Sequence, residues 1–346
     1  MQNPYTLVFG QPPLEMIERT AQAERIISEF SQERPVNSIN LITGVRGCGK
    51  TVFVTQIADR LREKEWIIIN LNAQRDLLRS FAAKLNSDRR LNQLFQNAEI
   101  NLQAFGIGVG INGVPPIDDI EEALIRMLQS IKKHKQRVLI TIDEVTNSKD
   151  MRIFTSAFQI FLREQLPVFL LMSGLYKNID SLRNADGMTF LERAPRTVLA
   201  PLNHQAIMKK YMKTLQIRQD EAIRLAQATK GYAFAFQTIG YFYWENPLDS
   251  QKAMDNAMDY LSEFAYRKIW TELSRKDKEV VLAISKVKTG EIMQIREILR
   301  YSTNQFNPYR DRLIKAGIVH SSQNGVIEFS LPGFGEFAQM MSMESF

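Results

Sequence analysis

A glycine-rich octet set between a strand-like run and a helix-like run constrains this chain more than any other feature. Ser38–Thr43 (SINLIT) is apolar and of strand length, Gly44-Val45-Arg46-Gly47-Cys48-Gly49-Lys50-Thr51 follows it directly, and Thr51 to Leu61 then reads as a helix. Strand, G-x-x-x-x-G-K-[ST] and helix in that order describe a loop that wraps phosphate groups. Its glycines let backbone N–H groups turn inward, and the helix N-terminus adds partial positive charge. Lys50 is expected to reach the β- and γ-phosphates of ATP, and the Thr51 hydroxyl to ligate Mg²⁺. The expected nucleotide contacts are Gly44, Val45, Arg46, Gly47, Cys48, Gly49, Lys50, Thr51 and Val52.

Such a loop works with a metal-orienting carboxylate at the end of another apolar strand, and Val138-Leu139-Ile140-Thr141-Ile142-Asp143-Glu144 supplies one. Asp143 is expected to hold Mg²⁺ through water, and Glu144 to polarise the attacking water as general base. A further strand, Val168–Met172, leads into Ser173-Gly174. Ser173 is a candidate sensor of the γ-phosphate, although a strand-to-loop turn explains the same pair. Cys48 sits at a helix N-terminus beside Lys50, conditions that lower a thiol pKa, so it is expected to be reactive and shielded by nucleotide.

Up to about residue 200 strand-length apolar runs alternate with helical patterns, and only helical patterns follow. The strand candidates are Ser38–Thr43, Trp66–Asn70, Val138–Asp143, Val168–Met172 and Thr197–Leu199, apolar on both faces as parallel strands covered by helices should be. Ile120, Leu124, Met127, Leu128 and Ile131 mark one face of a helix. The reading is an α/β doubly wound domain with a five-stranded parallel sheet. Ile100–Pro116, with Gly106, Gly108 and Gly110 at alternate positions, reads as an extended excursion or hairpin. From Asn203 to Asp259 the chain looks all-helical and rich in aromatic residues. Lys276–Lys286, Glu291–Leu299 and Thr303–Ala316 then predict three helices, the last with Pro308 in its first turn and Gly317 as its cap. Asn324-Gly325 predicts a tight hairpin turn before the alternating run Val326–Leu331. Three helices and a hairpin describe a winged helix-turn-helix. The expected domains are a core at 1–200, a helical lid at 201–262 and the winged helix at 263–346.

With 45% apolar and 24% charged residues the chain has an ordinary globular composition. No apolar run approaches the roughly 18–20 residues that span a bilayer, and MQNPYTLVFGQPP lacks the pattern of a secretory signal, so a cytoplasmic location is expected. One cysteine and three scattered histidines (His134, His204, His320) offer neither a disulfide nor zinc-ligand spacing. The net charge of +6 permits a polyanionic partner without demanding one. The densest basic run, Lys132–Arg137 (KKHKQR), closes a helical pattern, where cations suit the helix dipole.

In its motifs the sequence resembles the AAA+ ATPases, in the branch shared by origin-recognition-type initiators and the signalling STAND NTPases. The resemblance rests on GVRGCGKT, LITIDEV, LLMSG, FLERAPR, TKGYAFAFQTIGYFYWE and the terminal winged-helix pattern, in that order, with NPYTLVFGQPP similar to the family's adenine-side segment. Two positions depart from the family pattern: Glu18-Arg19 stands where a Gly-Arg pair is common, and Gly231 is followed by Tyr232, Ala233 and Phe234. The resemblance implies that Arg193, or else Arg196, reaches a neighbouring subunit's γ-phosphate in a homo-oligomer. It implies a Mg²⁺-dependent ATPase whose nucleotide state repositions a winged helix touching DNA through Asn304, Gln305, Arg310, Arg312 and Lys315. Arg310 and Arg312 are expected in the first turns of that helix on adjacent faces. The alternative keeps the ATPase and makes the winged helix a protein-docking or autoinhibitory module; basic and acidic residues in this region form no strong basic stripe.

Overall fold

The computed structural model describes residues 2–8, 13–108 and 113–344. Two compact units divide the chain, one comprising Thr20–Thr43 with Lys50–Val198, the other Met1–Arg19, Gly44–Gly49 and Leu199–Phe346.

The first unit alternates helices and strands: α1 (Thr20–Ser31), β1 (Ile39–Thr43), α2 (Lys50–Arg62), β2 (Ile67–Asn72), α3 (Leu77–Ser87), α4 (Arg89–Asn97), α5 (Ile120–Lys133), β3 (Val138–Asp143), α6 (Lys149–Arg163), β4 (Val168–Gly174), α7 (Tyr176–Arg183) and β5 (Arg196–Val198). Its five strands form one sheet in the order β2-β3-β4-β1-β5, parallel throughout. Parallel neighbours require crossover helices, and these cover both faces. Accordingly β1 and β4 are buried at every position. Leu41, Ile140 and Leu170 face a core completed by Phe81, Leu128 and Phe158 from α3, α5 and α6. The alternate residues Leu139, Phe169 and Leu171 are buried on the opposite face.

Helix α5 buries Leu124, Met127, Leu128 and Ile131 completely and starts at Asp119, whose side chain accepts the Glu121 and Glu122 N–H groups. Lys132 and Lys133 occupy its last turn. Arg137, at the end of the basic run, donates to the carbonyls of Phe30 (2.6 Å) and Gln32 (2.8 Å) and lies over the rings of Trp66 and Phe169. Of the two alternatives for Ile100–Pro116, an extended excursion or a hairpin, the hairpin is corrected: among its described residues there is one 3₁₀ turn, Gln103–Phe105, and no strand. Ile100, Leu102 and Ile107 instead anchor this irregular segment in the main core; Gly110 lies outside the described residues. Among the described residues no helix is long and apolar enough to cross a membrane.

The second unit begins with α8 (His204–Leu215), α9 (Gln219–Ala228), α10 (Ala233–Glu245) and α11 (Ser250–Leu261), which continues through a π-helical turn, Ser262–Tyr266, into α12 (Arg267–Glu272). The aromatic stretch is core: Phe236 stacks on Tyr211 at 5.2 Å and meets Tyr5 of the N-terminal segment edge-on at 5.6 Å. Then come α13 (Arg275–Lys286), α14 (Ile292–Leu299), α15 (Thr303–Lys315), β6 (Val319–Gln323), β7 (Val326–Phe329) and α16 (Phe334–Met343). The two strands pair antiparallel across Asn324-Gly325. Sequence reasoning missed α16, although Phe334, Phe337 and Ala338, all buried, carry its periodicity. Its rings close the local core, with Tyr266 at 5.2 Å from Phe334 and 5.7 Å from Phe337.

Helix α15 starts with a reciprocal capping box between Ser302 and Gln305. Pro308 is therefore in the second turn, inside the helix, and not in the first. Arg310 and Arg312 lie further along, and two residues at about 100° each put them on opposite sides instead of on adjacent faces. Arg312 donates to Oδ1 of Asp277 through Nε (2.9 Å) and Nη2 (2.6 Å). Asp277 is only 4% exposed and also accepts the Ser274 hydroxyl at 2.6 Å. Arg312→Ala would strip a buried carboxylate of its counter-ion. Because the arginine itself is half-exposed, the expected loss of stability is about 1–3 kcal/mol, measured by chemical denaturation against Arg310→Ala, which should change stability by less than about 0.5 kcal/mol.

Candidate functional site

In the first unit the chemistry collects where β3 and β4 end. Asp143 closes β3, and the register places Ile142 beside Met172 of β4, one residue before Ser173. Asp143 Oδ1 accepts the Ser173 hydroxyl and the Glu144 N–H at 2.9 Å, while Oδ2 accepts the Thr51 hydroxyl at 2.5 Å. With both oxygens engaged, the carboxylate has one orientation. Glu144 is exposed and has φ +54°, a left-handed backbone that is strained for a residue with a Cβ. The chain thereby breaks from the strand at Glu144, and Val145 N–H returns to the Ser173 carbonyl at 2.9 Å.

Ser173, the expected phosphate sensor, is fully buried and its hydroxyl is held by Asp143, so its place is behind the carboxylate. Thr51 and Asp143 offer hard oxygen donors, which fit a Mg²⁺ that takes its remaining ligands from phosphate and water. No cluster of three or more His, Cys, Asp or Glu that could hold a metal exists among the described residues; a phosphate-bound Mg²⁺ does not need one.

In the second unit the loop Gly44–Gly49 is held by its carbonyls. Arg46 O accepts the Tyr232 hydroxyl at 2.7 Å, Gly47 O accepts Phe234 N–H at 3.1 Å, and Cys48 O accepts Arg19 Nη2 at 2.9 Å. Gly47 has φ +76°, and a Cβ there would collide with the Tyr232 hydroxyl, so only glycine fits. Burial lowers the Arg19 pKa, and its Nε also donates to Ala200 O at 2.8 Å. Arg46 extends toward Glu272, 3.6 Å away. Sequence reasoning did not single out Arg19, Tyr232 or Phe234 as site residues; the one signal for Tyr232 and Phe234 is their departure from the family pattern after Gly231, and Arg19 keeps that pattern's arginine behind the departing Glu18.

The reactive-thiol expectation for Cys48 is corrected. The side chain is 7% exposed and packs against Gly44, where an added Cβ would lie 2.5 Å from Sγ. Of the two arginines in FLERAPR, Arg193 ends the 3₁₀ turn Thr189–Arg193 and is exposed. Arg196 is engaged within its own unit, 4.0 Å from Asp180 and 4.7 Å over the Tyr176 ring. Among the residues expected to meet DNA, Gln305 accepts the Ser302 N–H at 2.8 Å, Arg310 pairs with Asp311 at 2.8 Å and Arg312 with Asp277. Asn304 and Lys315 are exposed.

Residues 23–166 match a family described as an ATPase domain predominantly from Archaea. The match shows an ATPase domain within this chain. Residues 263–338 match a second family, a domain of unknown function (DUF8462). Among curated proteins no sequence matches this chain. Solved structures do: the Walker-type ATPase PABY2304 of Pyrococcus abyssi aligns at 12% identity with a TM-score of 0.63, over 94% of this chain and 96% of its own. The ORC2 protein of Aeropyrum pernix, solved in ADPNP-ADP complexes, aligns at 12% identity with a TM-score of 0.56, over 98% and 97%. The chain thus shares the fold of these proteins, and its own sheet is five-stranded and parallel.

Removing the hydroxyl behind the carboxylate, Ser173→Ala, is expected to slow phosphate release and raise the Mg²⁺ required for half-maximal rate by about 10-fold, the low end for an outer-shell partner, as read from a Mg²⁺ titration. Alkylation of Cys48 should be slow with or without nucleotide and become fast only on unfolding, which mass spectrometry checks.

Proposed function

We propose that this protein binds ATP at Gly44–Thr51, hydrolyses it with Mg²⁺, and uses its nucleotide state to reposition a winged helix-turn-helix, α13–α15 with β6–β7 as wing, that contacts DNA. The division of labour runs along the chain as core (1–200), lid (201–262) and winged helix (263–346). The observation that carries the reading is the Asp143 carboxylate, fixed by Ser173 and the Glu144 N–H on one oxygen and aimed at Thr51 with the other. It supports a metal subsite of one hydroxyl and one water-bridged carboxylate. The ADPNP-ADP complexes of the ORC2 protein support nucleotide binding by the same fold.

Gly44 to Cys48, with Gly49, Lys50, Thr51 and Val52, hold the triphosphate, and Lys50 brings a fixed positive charge to its terminal oxygens. Mg²⁺, when bound, offsets the negative charge that builds on those oxygens. Thr51 and Asp143 hold the ion. Glu144, exposed and turned out of the strand, accepts a proton from the attacking water. Arg193, exposed on its turn, reaches the γ-phosphate of a second copy, so that assembly accelerates hydrolysis.

A second reading is favoured by one observation. Gln305, Arg310 and Arg312 already have partners within the C-terminal region, which supports a winged helix that docks protein in a signalling switch. Salt titration separates the two: DNA affinity falling log-linearly with salt, by about 0.9 per phosphate contact, supports DNA contact, and no affinity at low salt in either nucleotide state removes it.

Two substitutions test the ATPase chemistry. Lys50→Ala should abolish tight ATP binding in calorimetry, and unchanged affinity would sink the phosphate-loop assignment. Glu144→Gln should bind ATP normally yet hydrolyse it about 10²–10⁴-fold more slowly, the usual contribution of a general base; wild-type turnover in this variant would transfer the role to another group.

A further inference from the structure

We propose that Tyr232 is a positioning residue for the phosphate loop: together with the Phe234 N–H and the Arg19 guanidinium it clamps three successive loop carbonyls and so makes nucleotide affinity depend on the lid elbow Gly231–Phe234. The proposal rests on the ATP-binding reading above.

In a trans peptide the C=O of one residue and the N–H of the next point in opposite directions, and the described chain contains no cis bond. Arg46 O is held by Tyr232, Gly47 O by Phe234 and Cys48 O by Arg19. The N–H groups of Gly47, Cys48 and Gly49 are thereby turned away from the clamp. A phosphate-binding nest needs this orientation of consecutive N–H groups. The Cys48 N–H meanwhile closes a turn on Val45 O at 3.2 Å, which leaves Gly47 and Gly49 as the positions whose N–H direction the clamp governs most directly.

The clamp is itself fixed. Gly231 N–H donates to the Thr229 hydroxyl at 3.0 Å, Tyr232 N–H to Thr229 O at 2.9 Å, and Leu202 N–H to Gly231 O at 2.8 Å. Gly231 has φ +71°, and a Cβ there would come within 2.7 Å of Leu202 O. Tyr232, 4% exposed, therefore approaches Arg46 O in one direction only. A loop with glycines at 44, 47 and 49 has much conformational freedom to lose on binding phosphate; contacts made before the ligand arrives reduce that loss. By reciprocity, nucleotide in the loop must stiffen the elbow as much as the elbow favours nucleotide.

Tyr232→Phe removes one hydroxyl and keeps the ring. The expected result is ADP binding weakened about 3- to 10-fold in calorimetry, the effect of one neutral hydrogen bond, and a raised KM for ATP with kcat within twofold. A structural role alone would lower the melting temperature and leave affinity unmoved. ADP affinity within twofold of wild type overturns the clamp. Should the variant not fold, amide exchange on the wild-type protein decides. With Mg²⁺-ADP at about 100 times its Kd, exchange of the Phe234 N–H should slow by about 100-fold if releasing Gly47 O and losing the loop are one event; exchange indifferent to bound nucleotide overturns the proposal. Wild-type protein that binds no nucleotide removes the ATPase reading and the clamp together, whereas nucleotide binding that Tyr232→Phe leaves intact removes the clamp alone.

Discussion

Strands covered by helices on both faces have one place left for chemistry, their carboxyl ends. Everything that distinguishes the first unit follows from this. β4 lies between β3 and β1, so its last residues are flanked by the end of β3 on one side and the end of β1 on the other. Ser173 on that strand can therefore donate to Asp143, and a hydroxyl at this point organises a carboxylate more directly than any residue on a surface loop could. The Asp143 carboxylate is half-buried there, and hydrogen bonds replace the hydration it loses on the sheet side. Thr51, Ser173 and the Glu144 N–H supply three. Satisfying the charge and aiming it are one act.

The loop in the second unit obeys the same logic in backbone terms. Its glycines permit a conformation without selecting it. Selection comes from outside, through carbonyls bound by a tyrosine hydroxyl, a main-chain N–H and a guanidinium. A guanidinium suits this position because its fork serves two carbonyls, Cys48 O and Ala200 O, from one planar group. Lysine carries its three donors on one nitrogen and lacks this planar fork.

Much of this was legible in the sequence, for identifiable reasons. The octet at Gly44, the run ending at Asp143 and the period of α5 are local patterns, and local patterns survive without a structure. β3 runs from Val138 to Asp143 as read, and the remaining strands agree to within one or two residues at each end. What failed was non-local. The alternating glycines near Gly106 left an extended excursion and a hairpin both open, and only the core formed by distant helices shows that the apolar residues among them serve as anchors. Cys48 sits in a sequence context that activates thiols, and only the packing against Gly44 shows it withdrawn. Ser173 could be placed at a strand end from sequence, but which group its hydroxyl would meet depends on strand order, which no single segment encodes. Tyr232 and Phe234 stood out only as mismatches to a pattern, and a mismatch names no partner; Arg19 keeps the pattern's arginine beside the mismatched Glu18, and nothing local showed that it would meet Cys48 O.

The basic residues of α15 show most clearly why composition is a poor guide to a binding face. At about 100° per residue, Asn304, Asp311 and Lys315 fall within a narrow arc, Gln305 and Arg312 lie some 90° to one side, and Arg310 lies well away on the other. Lys315 thus shares its face with Asp311, about 40° away, and Arg310 lies nearly opposite Arg312. Arg312 is moreover shared with Asp277, whose burial makes that pairing the stronger claim on the guanidinium. Arg310 is likewise paired, with Asp311, and electrostatic affinity grows with the number of phosphate contacts a surface makes. One copy of α15 acting alone would hold DNA weakly at physiological salt. A DNA-binding role would therefore have to draw on groups beyond this one helix, whose guanidinium groups are already committed to Asp277 and Asp311.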